Sequence, residues 1–189
     1  FDVIAQAGTP FIFLKGPAFE DETRDRLKKI TSTPVIFMAE SVVKALKHLG
    51  VKKPNVESTY YDDEFNSKYK AYLEFHGFEI PKISGIPEAR NLHAGGELNE
   101  FPTAEIYRQA KKLHHDSPDA DGLVISGGGI MSLEILDALE KDLGVPVISS
   151  NQALYWYALD TLDIKEPIRG SGSLLESLAF SPNRKTSGQ

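Results

Sequence analysis

The chain of 189 residues contains no cysteine. That single absence excludes disulfides, thiolate nucleophiles and cysteine-ligated metal, whatever the fold. No apolar run reaches the length of a bilayer-spanning helix, and Phe1–Gly8 lacks the basic and apolar regions of a secretory signal, so the expectation is a soluble, cytoplasmic protein with no membrane partner. Basic charge is also in deficit, with 21 Lys and Arg against 27 Asp and Glu, a net charge of −6. The Lys52-Lys53 and Lys111-Lys112 pairs are isolated. A nucleic-acid footprint needs clustered cations, so no nucleic-acid partner is expected. The five histidines, at 48, 76, 93, 114 and 115, show no metal-ligand spacing with Asp or Glu, and His114-His115-Asp116 reads as a solvated helix end.

What is present is 41% hydrophobic residues, enough for one substantial core or two small lobes. Short apolar runs alternate with helical periodicity along the chain. Asp2–Ala7 reads as a buried strand ending at Gly8-Thr9-Pro10, and Pro34–Met38 as a second. A helix is expected over Phe19–Ile30 and another over Ser41–Leu49, closed by Gly50. Pro54–Thr59 predicts a strand, Tyr60-Tyr61-Asp62-Asp63 a turn into a helix that runs to about His76, and Phe78–Ile83 a strand. Ser84–Pro102 carries Gly, Pro and Asn without periodicity and reads as a long loop. Thr103 is placed as the cap of a helix ending near His115. Gly122–Ser126 is the clearest buried strand, followed by helix Ile130–Leu143, strand Val145–Ser149 and helix Gln152–Leu162. Ser181–Gln189 reads as a frayed tail. This alternation predicts an α/β fold with parallel sheets flanked by helices.

In open α/β sheets ligands collect beyond the carboxyl ends of strands. Those ends are Gly8-Thr9-Pro10, Thr59-Tyr60-Tyr61, Ser126-Gly127-Gly128-Gly129 and Ser149-Ser150-Asn151. Three successive glycines either free their amides as an anion nest at a helix N-terminus or permit close strand–helix packing. The pattern is neither a Walker loop nor a dinucleotide fingerprint. Tyr61 reads as a phenol donor to a substrate oxygen or as a core aromatic, and Asn151 as a carboxylate ligand or as a helix cap. Glu40 and Glu57 lie near strand ends as candidate acid–base groups, with surface exposure the commoner fate.

These motifs together resemble the maleate cis-trans isomerase and arylmalonate decarboxylase branch of the Asp/Glu racemase superfamily. The resemblance runs through Asp2-Val3-Ile4-Ala5, Gly8-Thr9 and Phe13-Leu14-Lys15-Gly16-Pro17. It continues in Tyr61-Asp62-Asp63-Glu64-Phe65-Asn66, similar to the family's Tyr-x-Asp-Glu-Val-Asn, in Ser126-Gly127-Gly128, and in Pro146–Ala153, similar to Pro-Val-Val-Ser-Ser-Asn-Gln-Ala. It implies two pseudo-symmetric lobes with a cleft between them, residues 1–50 and 151–189 forming the first and 51–150 the second. It further implies a small carboxylate or dicarboxylate as partner and no metal or organic cofactor, and it leaves open whether the chain forms a homo-oligomer.

The same resemblance places glycine at both positions, 8 and 127, where isomerases and racemases of the superfamily carry facing cysteines. The catalytic set it implies is Gly8, Thr9, Tyr61 and Gly127, with Pro10, Gly128, Gly129, Ser150 and Asn151 binding substrate. What remains is an oxyanion cradle without a thiol, suited to a decarboxylase or isomerase of arylmalonate- or maleate-type acids, or to a non-catalytic carboxylate binder. Relatives carry a further opening strand with a substrate-binding Asn, so the reading favours a fragment over a natural short form.

Overall fold

The computed structural model describes residues 1–97 and 100–180. The expected tail, Ser181–Gln189, lies outside them. Two strands, β1 (Ile4–Gln6) and β2 (Val35–Phe37), form a parallel pair with Ile4 opposite Val35 and Gln6 opposite Phe37. Between them come α1 (Pro10–Phe13) and α2 (Pro17–Lys28), and α3 (Met38–His48) follows directly on β2. The remaining elements are β3 (Pro54–Thr59), α4 (Asp63–Phe75), β4 (Ile83–Gly85), α5 (Pro87–Gly95), α6 (Thr103–His115), β5 (Gly122–Ile125), α7 (Leu133–Leu143), β6 (Val147–Ser149), α8 (Ser150–Thr161) and α9 (Ser173–Glu176). Strands β3 to β6 make a second parallel sheet in the order β4-β3-β5-β6.

Helices cover both faces of this sheet, which is why β3, β5 and β6 read as unbroken buried runs rather than alternating ones. Val56, Val124 and Ile148 face one core, shared with α3, α4, α8 and Ile36 and Phe37 of β2. Leu123, Ile125 and Val147 face the other, against α6 and α7. The first core therefore spans both sheets. A polar network ties α2 to it: Arg24 donates to Glu20 (3.1 Å) and Glu40 (2.8 Å), the Tyr72 phenol donates to Glu20 (2.7 Å), and the guanidinium lies 4.8 Å from the Phe37 ring centroid. Glu40 is thus bound into a structural ion pair, away from any acid–base role.

Several expectations need correction. Strand β1 is shorter than Asp2–Ala7 and its Ile4 and Ala5 are exposed, because β2 is its one partner among the described residues. Phe78 and Ile80 are buried by irregular chain, and the strand lies later, at Ile83–Gly85. The expected loop 84–102 contains α5, opened by Pro87 at its first position and closed by Gly96 in the left-handed conformation. Thr103 is the first residue of α6 and its side chain makes no cap. Helix α3 starts at Met38, with the Ser41 hydroxyl turned back to the Phe37 carbonyl (2.7 Å). Helix α7 starts at Leu133 rather than Ile130, and α8 at Ser150 rather than Gln152.

Glu57 departs furthest from expectation. It is 2% exposed, on the face of β3 turned toward α6, and neither carboxylate oxygen has a hydrogen-bond partner among the described residues. It borders a cavity of about 100 Å³ shared with Ser84, Gln109 and Leu113. Burial pushes its pKa well above the ordinary 4.5. A raised carboxyl pKa means the folded chain binds the proton more tightly, so its stability is fully present below about pH 4.5 and is lost as pH rises toward the folded value. Glu57→Gln removes that loss. In thermal denaturation we expect a gain of about 2–4 °C at pH 8, the shift of about 1 kcal/mol in a domain of this size, and no gain at pH 4.

Candidate active site

The carboxyl ends of both sheets meet around two consecutive tyrosines. Thr59 closes β3 with φ +50, a conformation unusual for a β-branched residue, and its carbonyl accepts the Ile86 amide. Beyond this bend Tyr60 and Tyr61 diverge. Tyr61 turns inward, 3% exposed, against Phe13 (centroids 5.7 Å), Phe65 (5.7 Å) and Tyr69 (6.3 Å). Its phenol and the Thr9 hydroxyl are hydrogen-bonded at 2.8 Å, and Thr9 Oγ1 lies 3.5 Å from Ser126 Oγ at the end of β5. Thr9 sits just before α1, where Pro10 occupies the first helical position, so the chain leaving β1 reaches the ends of β3 and β5. The Gly8 amide points to Met38 Sδ at 3.3 Å.

Tyr60 stays half-buried. Its ring stacks on His93 (4.2 Å, 22°) and meets Tyr61 edge-on (5.0 Å, 82°). It also lies over Gly127, where a Cβ would come within 2.9 Å of Tyr60 Cε1 and where φ is +153. A side chain at position 127 and the Tyr60 ring therefore compete for one volume. Burial raises the Tyr60 pKa, and the amides of Gly128 and Gly129 together with the Tyr61 phenol oppose the rise. Burial raises that of Tyr61 further, with the Thr9 hydroxyl opposing. Both phenols are protonated at neutral pH.

The glycine run differs from a free anion nest. It forms a turn closed by the Ile130 amide on the Gly127 carbonyl (3.4 Å), and α7 begins only after Ser132. The Gly127 amide donates to Ser150 Oγ at 3.3 Å, so this amide and the buried Ser150 hydroxyl are already committed to each other. Gly128 and Gly129 are exposed, and their amides face the Tyr60 phenol. Asn151 Nδ2 donates to the Gly128 carbonyl at 3.2 Å, bracing the turn from α8. On its far side Asn151 lines an open groove of about 920 Å³ with Ile130, Met131, Leu133 and Tyr155.

The structure thus brings Thr9, Tyr61, Gly127, Gly128, Ser150 and Asn151 into one chain of contacts, with Gly8 and Pro10 flanking it. Sequence reading placed Tyr60 and Ser126 at strand ends but gave neither a role in the site. The tandem Tyr60-Tyr61 after a strand was the available signal, since consecutive residues there must point in different directions. Among the described residues no group of three or more His, Asp or Glu could hold a metal ion, and no helix is long and apolar enough to cross a membrane.

Parallel sheets flanked by helices, with hydroxyls and a glycine turn at the strands' carboxyl ends, define an α/β protein whose polar groups gather where such folds place ligands. The chain belongs to the arylmalonate decarboxylase family, whose family model matches residues 1–175. It is 29% identical over 160 residues to the arylmalonate decarboxylase of Bordetella bronchiseptica, covering 83% of this chain and 63% of that protein. It is 27% identical over 180 residues to the maleate isomerase of Geobacillus stearothermophilus, covering 92% and 69%. A crystal structure of arylmalonate decarboxylase superposes with TM-score 0.83 at 26% identity, over 93% of this chain and 75% of that one. The chain therefore spans less than two thirds of the curated decarboxylase it matches.

The Thr9–Tyr61 bond yields a direct test. Thr9→Val removes one partner of the Tyr61 phenol and leaves the Ser126 hydroxyl beside it, and Tyr61→Phe leaves the Thr9 hydroxyl near Ser126, so each should cost about 1 kcal/mol. Urea denaturation of both variants and the double variant should return a coupling energy of about 1 kcal/mol. Additive losses would mean the bond contributes nothing.

Proposed function

We propose that this chain is a cofactor-independent decarboxylase-like enzyme of small arylmalonate- or maleate-type carboxylic acids. The observation that carries the reading is the hydroxyl pair Thr9–Tyr61, at 2.8 Å, beside the glycine turn at the strand ends. In this reading the acid is held between a first lobe, residues 1–50 with 151–180, and a second lobe, residues 51–150. There Thr9 and Tyr61 take one carboxylate of the acid, with Gly8 and Pro10 on one wall and Gly127–Gly129, Ser150 and Asn151 on the other.

Loss of CO2 from a malonate moves its electron pair into the remaining carboxylate, which becomes an enediolate. Charge on the bound oxygens grows as the bond breaks, and neutral donors held in place stabilise that state more than the ground state. The raised pKa of Tyr61 keeps its phenol protonated for this purpose. The step needs no redox change, only one proton to replace the departing CO2. A second reading, a carboxylate binder without turnover, is favoured by the absence of cysteine, because recognition of a ground state needs no proton donor.

Incubation with phenylmalonate and with maleate, followed by proton NMR, separates the two. Turnover of either acid, reduced about 10²–10³-fold by Thr9→Val, is the expected result. A rise in Tm with an unconsumed acid would leave the binder standing instead.

A further inference from the structure

We propose that the Tyr60 phenol is the acid that protonates the enediolate, an assignment that rests on the decarboxylase reading above. Once CO2 has left, the α-carbon must gain a proton, and a chain without cysteine has no thiol to give one. Thr9 and Tyr61 are deeply buried and hydrogen-bonded to each other, so in this reading the one proton that their mutual bond leaves free serves a carboxylate oxygen. Tyr60 is placed differently. Its ring fills the volume that a side chain at position 127 would need, with Cε1 2.9 Å from an ideal Cβ there. It is therefore Tyr60, and not residue 127, that presents an ionisable group to the end of β5.

Three features fit this role. The ring is held between His93 and Tyr61, at centroid distances of 4.2 and 5.0 Å, so the phenol does not depend on a chance rotamer. The amides of Gly128 and Gly129 face its oxygen, where they stabilise the phenolate left after transfer. Finally, Tyr60 is half-buried beside exposed Gly128 and Gly129, so water can return the proton, which the enclosed Tyr61 does not permit. The balance is simple. The bond between the α-carbon and the departing carboxylate breaks, its electron pair enters the enediolate, and the α-carbon then takes the Tyr60 proton to form a C–H bond. The O–H pair stays on the phenolate, which regains a proton from water.

A prochiral probe, 2-methyl-2-phenylmalonate, reads out which face is protonated. The chain itself should release CO2 and give one enantiomer of the monoacid in excess. Tyr60→Phe keeps the ring, and should lower kcat about 10²-fold or more and give racemic product, its proton coming from water. Replacing Tyr60 by 3-fluorotyrosine, whose phenol is more acidic, should move the alkaline limb of the pH–kcat profile downward at unchanged fold. This arm remains decisive if Tyr60→Phe fails to fold. Unchanged rate and enantiomeric excess in Tyr60→Phe, or an unmoved alkaline limb, overturn the role of Tyr60 while the decarboxylase reading stands. If the chain is inert, the variant Tyr60→Ala/Gly127→Cys separates the remaining cases. Turnover by this variant alone means the cradle works but Tyr60 donates no proton. Inertness of both overturns the two proposals together.

Discussion

A single buried hydrogen bond, between the Thr9 hydroxyl and the Tyr61 phenol, fixes how the first sheet meets the second. Thr9 follows β1, Tyr61 follows β3, and Ser126, 3.5 Å from Thr9, follows β5. With all three buried, each polar atom must find its partner within the protein or carry an uncompensated desolvation cost. That requirement draws three chain reversals together more stringently than apolar packing does, because hydrogen bonds have direction. The aromatic cluster of Phe13, Phe65 and Tyr69 supplies the complementary surface on which the Tyr61 ring rests. Bond and cluster together hold α1 against α4 beneath the strand ends.

The same geometry explains the glycine at position 127. Thr59 adopts a positive φ, and this bend sends one tyrosine inward and leaves its neighbour over the end of β5. With a ring in that place, only a residue without a Cβ fits at 127, and its φ of +153 points to the same choice. Gly127, Ser150 and Asn151 then form one braced unit through the amide–hydroxyl bond at 3.3 Å and the amide–carbonyl bond at 3.2 Å. The turn is braced by these two bonds, and its exposed amides at 128 and 129 face the Tyr60 phenol.

Much of this was legible in the chain. The buried runs Val56, Leu123–Ile125 and Val147–Ile148 announce central parallel strands, and Ser149-Ser150-Asn151 lies at the strand end where it was expected. What escaped sequence reading had physical causes. Burial of β1 depends on what covers it, which Ile4 and Ala5 do not reveal. Helix α5 was hidden by Pro87 and the Gly95-Gly96 pair, residues that mark its two ends rather than a loop. Glu57 runs against the general rule that carboxylates face water, and only its position between β4 and β5 shows it. The partners of the glycine amides, Ser150 and Tyr60, lie 23 and 67 residues away from Gly127, beyond any local pattern.

The central claim is that carboxylate recognition occurs where Thr9, Tyr61 and the glycine turn meet. Titration of the nitrogen-15-labelled chain with phenylmalonate, followed by amide chemical shifts, tests it most directly. The account predicts the largest displacements at the amides of Thr9, Tyr61, Gly128 and Gly129, saturating together with one dissociation constant. Displacements confined to residues around the groove of Met131, Leu133 and Tyr155, with those four amides unmoved, would contradict it.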